Sequence, residues 1–337
     1  MNRFVKKLLT VIITVILTVS LAVSSFAEAL NVAYEAAAAE NYYLSSDVKT
    51  NGEILSEYLA LVYSGFTVVD DSYLKNKDGV ELLATEIITN AADGKSADPE
   101  KTSQLASLQN EDGSFGDLNE TCLAMIALKT AKTVFSSEKA VNSVLSHQNE
   151  EGIFAVSDDV KQNIEATSLV ITVLSPYVGA VNVQDAIDKA VNALNSLQNE
   201  DGTFADGSSI TLSKVITALS DIGESPNSDV WKKMVELLVT YKNEDGSYRE
   251  YLSDTEPNPE ATAEALCTFH ALASGSSPIQ KLMAEGKLSS FDIRDIMPFA
   301  ILYGVILLGS IVFWGYALRK KQNTRTLEDS KKAYDIC

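Results

Sequence analysis

Leu108-Gln109-Asn110-Glu111-Asp112-Gly113-Ser114-Phe115 is a motif that the chain repeats, with small changes, three more times. The later copies are Gln148-Asn149-Glu150-Glu151-Gly152-Ile153-Phe154, Gln198-Asn199-Glu200-Asp201-Gly202-Thr203-Phe204 and Lys242-Asn243-Glu244-Asp245-Gly246-Ser247-Tyr248. Their glycines are separated by 39, 50 and 44 residues, a period typical of stacked helix pairs and far too long for coiled-coil heptads. The repeated elements are Gln109, Gly113 and Phe115; Gln148, Gly152 and Phe154; Gln198, Gly202 and Phe204; and Gly246 with Tyr248.

Each copy follows an apolar-periodic run such as Ala190, Val191, Ala193, Leu194 and Leu197, which reads as a helix. Asn-Glu-Asp-Gly ends that helix, with Gly free to take a positive φ. The aromatic residue two positions later is placed to fold back into the core. A second helix then opens with an acid or a hydroxyl, as in Glu165-Ala166-Thr167 and Glu260-Ala261-Thr262, where an acid complements the positive end of the helix dipole. Calcium binding is a poor explanation for the acidic turn. An EF-hand loop needs an oxygen ligand at its first position and Glu at its twelfth, but the first position here is Leu108, Leu197 or Tyr241.

Second helices are expected to begin near Glu57, Glu81, Asn119, Glu165, Ser209 and Glu260. Their first-helix partners are expected at 29–45, 72–77, 99–108, 137–147, 183–197 and 228–241. The first two pairs lack the glycine turn.

The turn Gln-x-x-x-Gly-x-aromatic followed by a Glu-x-Thr-Ala helix start resembles the repeat of the prenyltransferase and squalene cyclase superfamily, clearly over 102–273. The resemblance implies an all-α fold, an (α/α)6 toroid over 28–273, with first helices outside and second helices inside. It places Cys122 and Cys267 on opposed inner helices, too far apart for a disulfide. Bacterial surface proteins with this repeat and, more distantly, cobalamin carriers share the likeness.

The ends of the chain have a different character. Arg3, Lys6 and Lys7 precede an apolar run from Leu8 to Val23, and Ser25-Phe26-Ala27 supplies small residues at the cleavage-determining positions, so 1–27 reads as a signal peptide. Residues 274–295 read as a juxtamembrane connector and 296–318 as a transmembrane helix. Its uncharged core from Pro298 to Leu318 would be about 31 Å long, a bilayer thickness. Arg319-Lys320-Lys321 follow at once, which places the 319–337 tail in the cytoplasm and the ring outside the cell membrane. The whole chain carries 27 basic and 46 acidic residues, a net charge of −19. Both ends are net basic, so the middle is more acidic still, and nucleic acid is not an expected partner.

Converging inner-helix starts would gather Glu57, Tyr58, Glu81, Thr121, Glu165, Thr167, Thr211, Glu260 and Thr262 at one mouth. The same pattern is also what helix capping alone requires. The resemblance implies catalytic motifs to look for. A cyclase's Asp-x-Asp-Asp is lacking, since Asp70-Asp71 and Asp158-Asp159 are bare pairs. A prenyltransferase's zinc ligands come from different helices, whereas Glu264, Cys267 and His270 share one helix and are a weak metal set. A glycan-active enzyme would pair two mouth carboxylates but would add aromatic platforms. The expectation is a non-catalytic module without a cofactor that binds an unknown small molecule, with a corrinoid or another nutrient as candidates, or a surface partner. A cyclase-like, prenyltransferase-like or glycan-active enzyme and a cell-surface scaffold are the alternatives.

Overall fold

The structure, a computed structural model, describes residues 31–44, 54–66, 68, 74–205, 207–224 and 229–289. The expected signal peptide, transmembrane helix and cytoplasmic tail lie outside these residues. Among the described residues no helix is long and apolar enough to cross a membrane.

Twelve α-helices are described. Helix α1 spans 31–44. It is followed by α2 Leu55–Tyr63, α3 Gly79–Ala92, α4 Pro99–Ser107, α5 Leu118–Thr130, α6 Ser137–Leu145, α7 Val160–Leu174, α8 Val183–Leu197, α9 Ser209–Asp221, α10 Asp229–Thr240, α11 Pro259–Ser274 and α12 Pro278–Glu285. Burial separates them into two classes. In α8 the buried positions Val183, Ala186, Ile187, Ala190, Ala193 and Leu194 form one stripe, the pattern of a helix with a wet outer face. In α11 every residue from Ala261 to Ala271 is buried, so that helix is covered on all sides.

The covered helices form a ring in the order α2, α3, α5, α7, α9, α11, and α11 packs back on α2 to close it. Helices α4, α6, α8 and α10 lie outside this ring against their neighbours. The first outer helix, α1, docks where the chain meets its own beginning: the Tyr43 hydroxyl reaches the Pro259 carbonyl, and Lys242 Nζ lies 2.5 Å from Glu35 Oε2.

The repeated turn explains how the ring is held. Gln148, Gln198 and Lys242 each form an isolated antiparallel bridge to the aromatic six residues on, Phe154, Phe204 and Tyr248. The Gln109 amide donates to the Gly113 carbonyl and to the Ser136 carbonyl at the start of the next outer helix, and Gln148 does the same toward Gly152 and Ala186. The fourth copy has Lys242 in place of Gln, and its partner on the next outer helix is accordingly an acid, Glu35. The turn acids are used locally: Asp112, Asp201 and Asp245 each accept from the backbone and hydroxyl of the residue two positions on.

Two expectations are corrected. No α-helix occupies the described part of 72–77, where only Leu74 is helical, in a 3-10 turn. Residues 75–76 continue as a turn, and α2 packs directly on α3. Residues 274–295, read as a connector, contain α12, capped by Ser277 and ended by Gly286 in the left-handed conformation. This helix packs on α2, α3, α5, α7 and α11. It crosses the carboxyl ends of the inner helices, where Gln280 donates to the Thr172 carbonyl and Asp221, the last residue of α9, accepts from the Ser277 backbone and hydroxyl. The ring is thus stoppered at one end.

Candidate functional site

The inner helices enclose a cavity of about 430 Å³, with Ser277, Pro278 and Ile279 of α12 in its lining. Each wall is a helical stripe. Glu260, Glu264 and Cys267 contribute from α11, Asn119, Leu123 and Ile126 from α5, and Gln162, Glu165, Leu169 and Thr172 from α7. Spacings of three, four and seven residues put each set on one face. Ser56 and Leu59 of α2 and Lys214 and Thr217 of α9 complete the wall.

Charge is concentrated around one ammonium. Lys214 Nζ lies 2.8 Å from Glu165 Oε2 and 3.5 Å from Glu260 Oε1, and Thr211 donates to the other Glu165 oxygen at 2.8 Å. Burial favours loss of the Lys214 proton, but Glu264, Glu165 and Glu260 together outweigh it and hold the pKa above the ordinary lysine value. Burial pushes the Glu264 carboxyl up, with Lys214 opposing the shift and Glu260 adding to it.

Of the nine residues expected at the mouth, the structure brings Glu165 and Glu260 to the cavity, with Thr211 supporting Glu165. Glu165 is also not in a first turn as expected, because α7 begins at Val160, capped by Asp159. Thr121, Thr167 and Thr262 are structural. Each is buried and accepts the backbone N–H of its repeat's aromatic, Phe115, Phe154 or Tyr248, at 2.9–3.0 Å. Glu57 is buried outside the cavity lining, and its charge acts on Tyr43 of α1. Tyr58 donates to Asp93 at 2.8 Å, and Glu81 pairs with Lys77.

The weak metal set is not assembled. Cys267 faces the Ser56 carbonyl and His270 Nε2 lies 2.8 Å from the Ser64 hydroxyl, while among the described residues no group of three such side chains converges. Cys122 and Cys267 are both free and buried, as the opposed placement implied. Asp159, one of the bare acidic pair, caps α7 through the Lys161 and Gln162 amides.

Residues 79–213, from α3 into α9, match the family model described as the prenyltransferase alpha-alpha toroid domain. The match supports a toroid of the prenyltransferase and squalene cyclase type for this stretch of the ring. A search of curated proteins returns no match. The matched part of the toroid contains three of the four glycine turns and ends one residue before Lys214.

Lys214 and Glu264 were not read as cavity residues from the sequence, though each carried a signal. Lys214 is the one charge in the run Leu212 to Leu219 and lies three residues past Thr211, while Glu264 lies one turn past Glu260.

Proposed function

We propose that the toroid is a binding module that holds a small amphipathic ligand in its axial cavity, rather than an enzyme. The observation that carries this reading is the cavity itself: mostly apolar walls with a few convergent polar groups, closed on one side by α12. Its volume of about 430 Å³ suits the smaller drug-sized ligands. A corrin ring with its side chains is larger, so a corrinoid would rest on the mouth. The Glu165 and Glu260 carboxylates are already committed to Lys214, an arrangement suited to recognition.

We also place the toroid outside the cell membrane, tethered by the span expected at 296–318. Protease added to intact cells should then remove the ring and leave the tail, and a protected ring would end that placement.

Ligand screening on the full chain tests the cavity reading, with Leu169→Trp as a plug and Glu165→Gln/Glu260→Gln as the polar control. A compound that raises Tm should lose its effect in the plugged variant. Hits indifferent to Leu169→Trp would move the site elsewhere, and turnover of an isoprenyl diphosphate or an oligosaccharide would refute the non-catalytic reading.

A further inference from the structure

The chemistry of the ligand can be taken a step further, on the condition that the cavity is the binding site. Three carboxylates, Glu165, Glu260 and Glu264, share the cavity wall with one cation, Lys214. Lys214 contacts Glu165 and Glu260 and bears on Glu264 through charge. The Glu264 side chain lies deep, at 9% exposure. The Ser56 hydroxyl faces it across the α2–α11 seam, yet the buried Ser56 Oγ closes no full hydrogen bond. The Ser56 hydroxyl, which has no partner within hydrogen-bond distance, and the Glu264 carboxylate thus open on the same part of the cavity, where a ligand donor could reach both.

A lysine is a compact charge on a flexible four-carbon stem, able to leave one pair of carboxylates for another position. Beyond the charges the walls are Leu59, Leu123, Ile126, Leu169 and Ile279, which suit a hydrocarbon or aromatic body. We propose that the cavity accepts a protonated amine carried on a compact apolar body, which binds Glu264 and Ser56 and competes with the Lys214 ammonium for Glu260 and Glu165. An anionic head would meet an excess of negative charge, so carboxylates and diphosphates are rejected.

The test uses the full chain in a non-ionic detergent and three probes of similar shape: phenethylamine, phenethyl alcohol and 3-phenylpropionate. Affinities are measured by calorimetry, with Leu169→Trp correcting for micelle partitioning. The amine should bind at least tenfold tighter than the alcohol, and the propionate should not bind. Glu264→Gln should weaken the amine at least tenfold while leaving the alcohol unchanged, and Lys214→Met should strengthen the amine severalfold by removing its competitor. The three-probe comparison on the unmodified chain needs no variant, so a misfolded variant leaves it decisive. Tightest binding by the propionate, lost in Lys214→Met, would overturn the proposal in favour of an anion site. Equal binding of amine and alcohol, both lost in Leu169→Trp, would overturn it while leaving the cavity reading intact. No binding by any probe would remove the cavity reading and the proposal with it.

Discussion

Gly246→Ala should destabilise the ring substantially more than Gly202→Ala, although the two turns have nearly the same sequence. Both glycines have φ of +92°, so an added Cβ carries the same backbone penalty at each, about 1–2 kcal/mol. Their surroundings differ. At Gly202 a Cβ would meet the flexible tip of Leu237 at 3.6 Å, an ordinary contact. At Gly246 it would overlap the Ala38 carbonyl oxygen and come within 2.7 Å of the Ala38 carbonyl carbon, both backbone atoms of α1. Overpacking of this kind costs about 1–3 kcal/mol more. For a domain of this size that corresponds to a further fall of roughly 3–10 °C in Tm. Thermal unfolding of the full chain, followed by far-UV circular dichroism, measures it. Equal falls for the two variants would refute the docking of α1 against the fourth turn. Gly152→Ala, whose Cβ would lie 2.6 Å from the Lys189 carbonyl oxygen, should behave like Gly246→Ala.

Lys242→Gln restores the residue found in the other three copies, yet it should destabilise. It leaves Glu35, with its side chain only 5% exposed, holding the Tyr248 hydroxyl at 3.3 Å but no cation, a loss of about 1–3 kcal/mol after discounting for the partly exposed lysine. Unchanged or raised Tm would count against that pair as the ring's closing contact. Asp221 gives a pH signature. Burial raises its pKa to about 6, despite the opposing bonds from Ser277 and Thr172, so the folded chain holds this proton more tightly than the unfolded one. Its contribution to stability is therefore largest below about pH 4, falls as pH rises to about 6, and is level above. Asp221→Asn should remove that downward slope from a plot of Tm against pH, and a variant that keeps the slope would show that another group causes it.

Much of the architecture was legible because the turn needs particular chemistry. Only Gly takes positive φ beneath the next outer helix without strain, Gln can bridge to that helix's backbone, and the aromatic needs a hydroxyl acceptor for its own N–H. These demands recur at four of the six corners, with Lys242 standing for Gln at the last, so the sequence repeats the motif there. The close approach of Gly246 to Ala38, against the looser setting of Gly202, leaves no local trace because it depends on where a distant helix lands. Helix α12 carried its own marks, Ser277-Pro278 at the start and Gly286 at the stop. Its position after the last repeat and before the expected span made it look like a linker. What gives it a place is a feature of the assembled ring, the open carboxyl ends of six inner helices.

The candidate site was harder to read because an inner helix has two buried sides, and a residue's type does not tell them apart. Ser56 and Glu57 are adjacent on α2, yet Ser56 lines the cavity while Glu57 is buried outside its lining, where its charge acts on Tyr43 of α1. A rotation of about 100° per residue separates the two. On α11, by contrast, Glu260, Glu264 and Cys267 keep to one face and all reach the cavity, while Thr262 turns to the Tyr248 backbone. An acid near a helix start serves equally well as a dipole partner, a shell contact or a cavity wall. The distinction comes from the neighbouring helix: Glu165 becomes part of a site because α9 places Lys214 and Thr211 beside it.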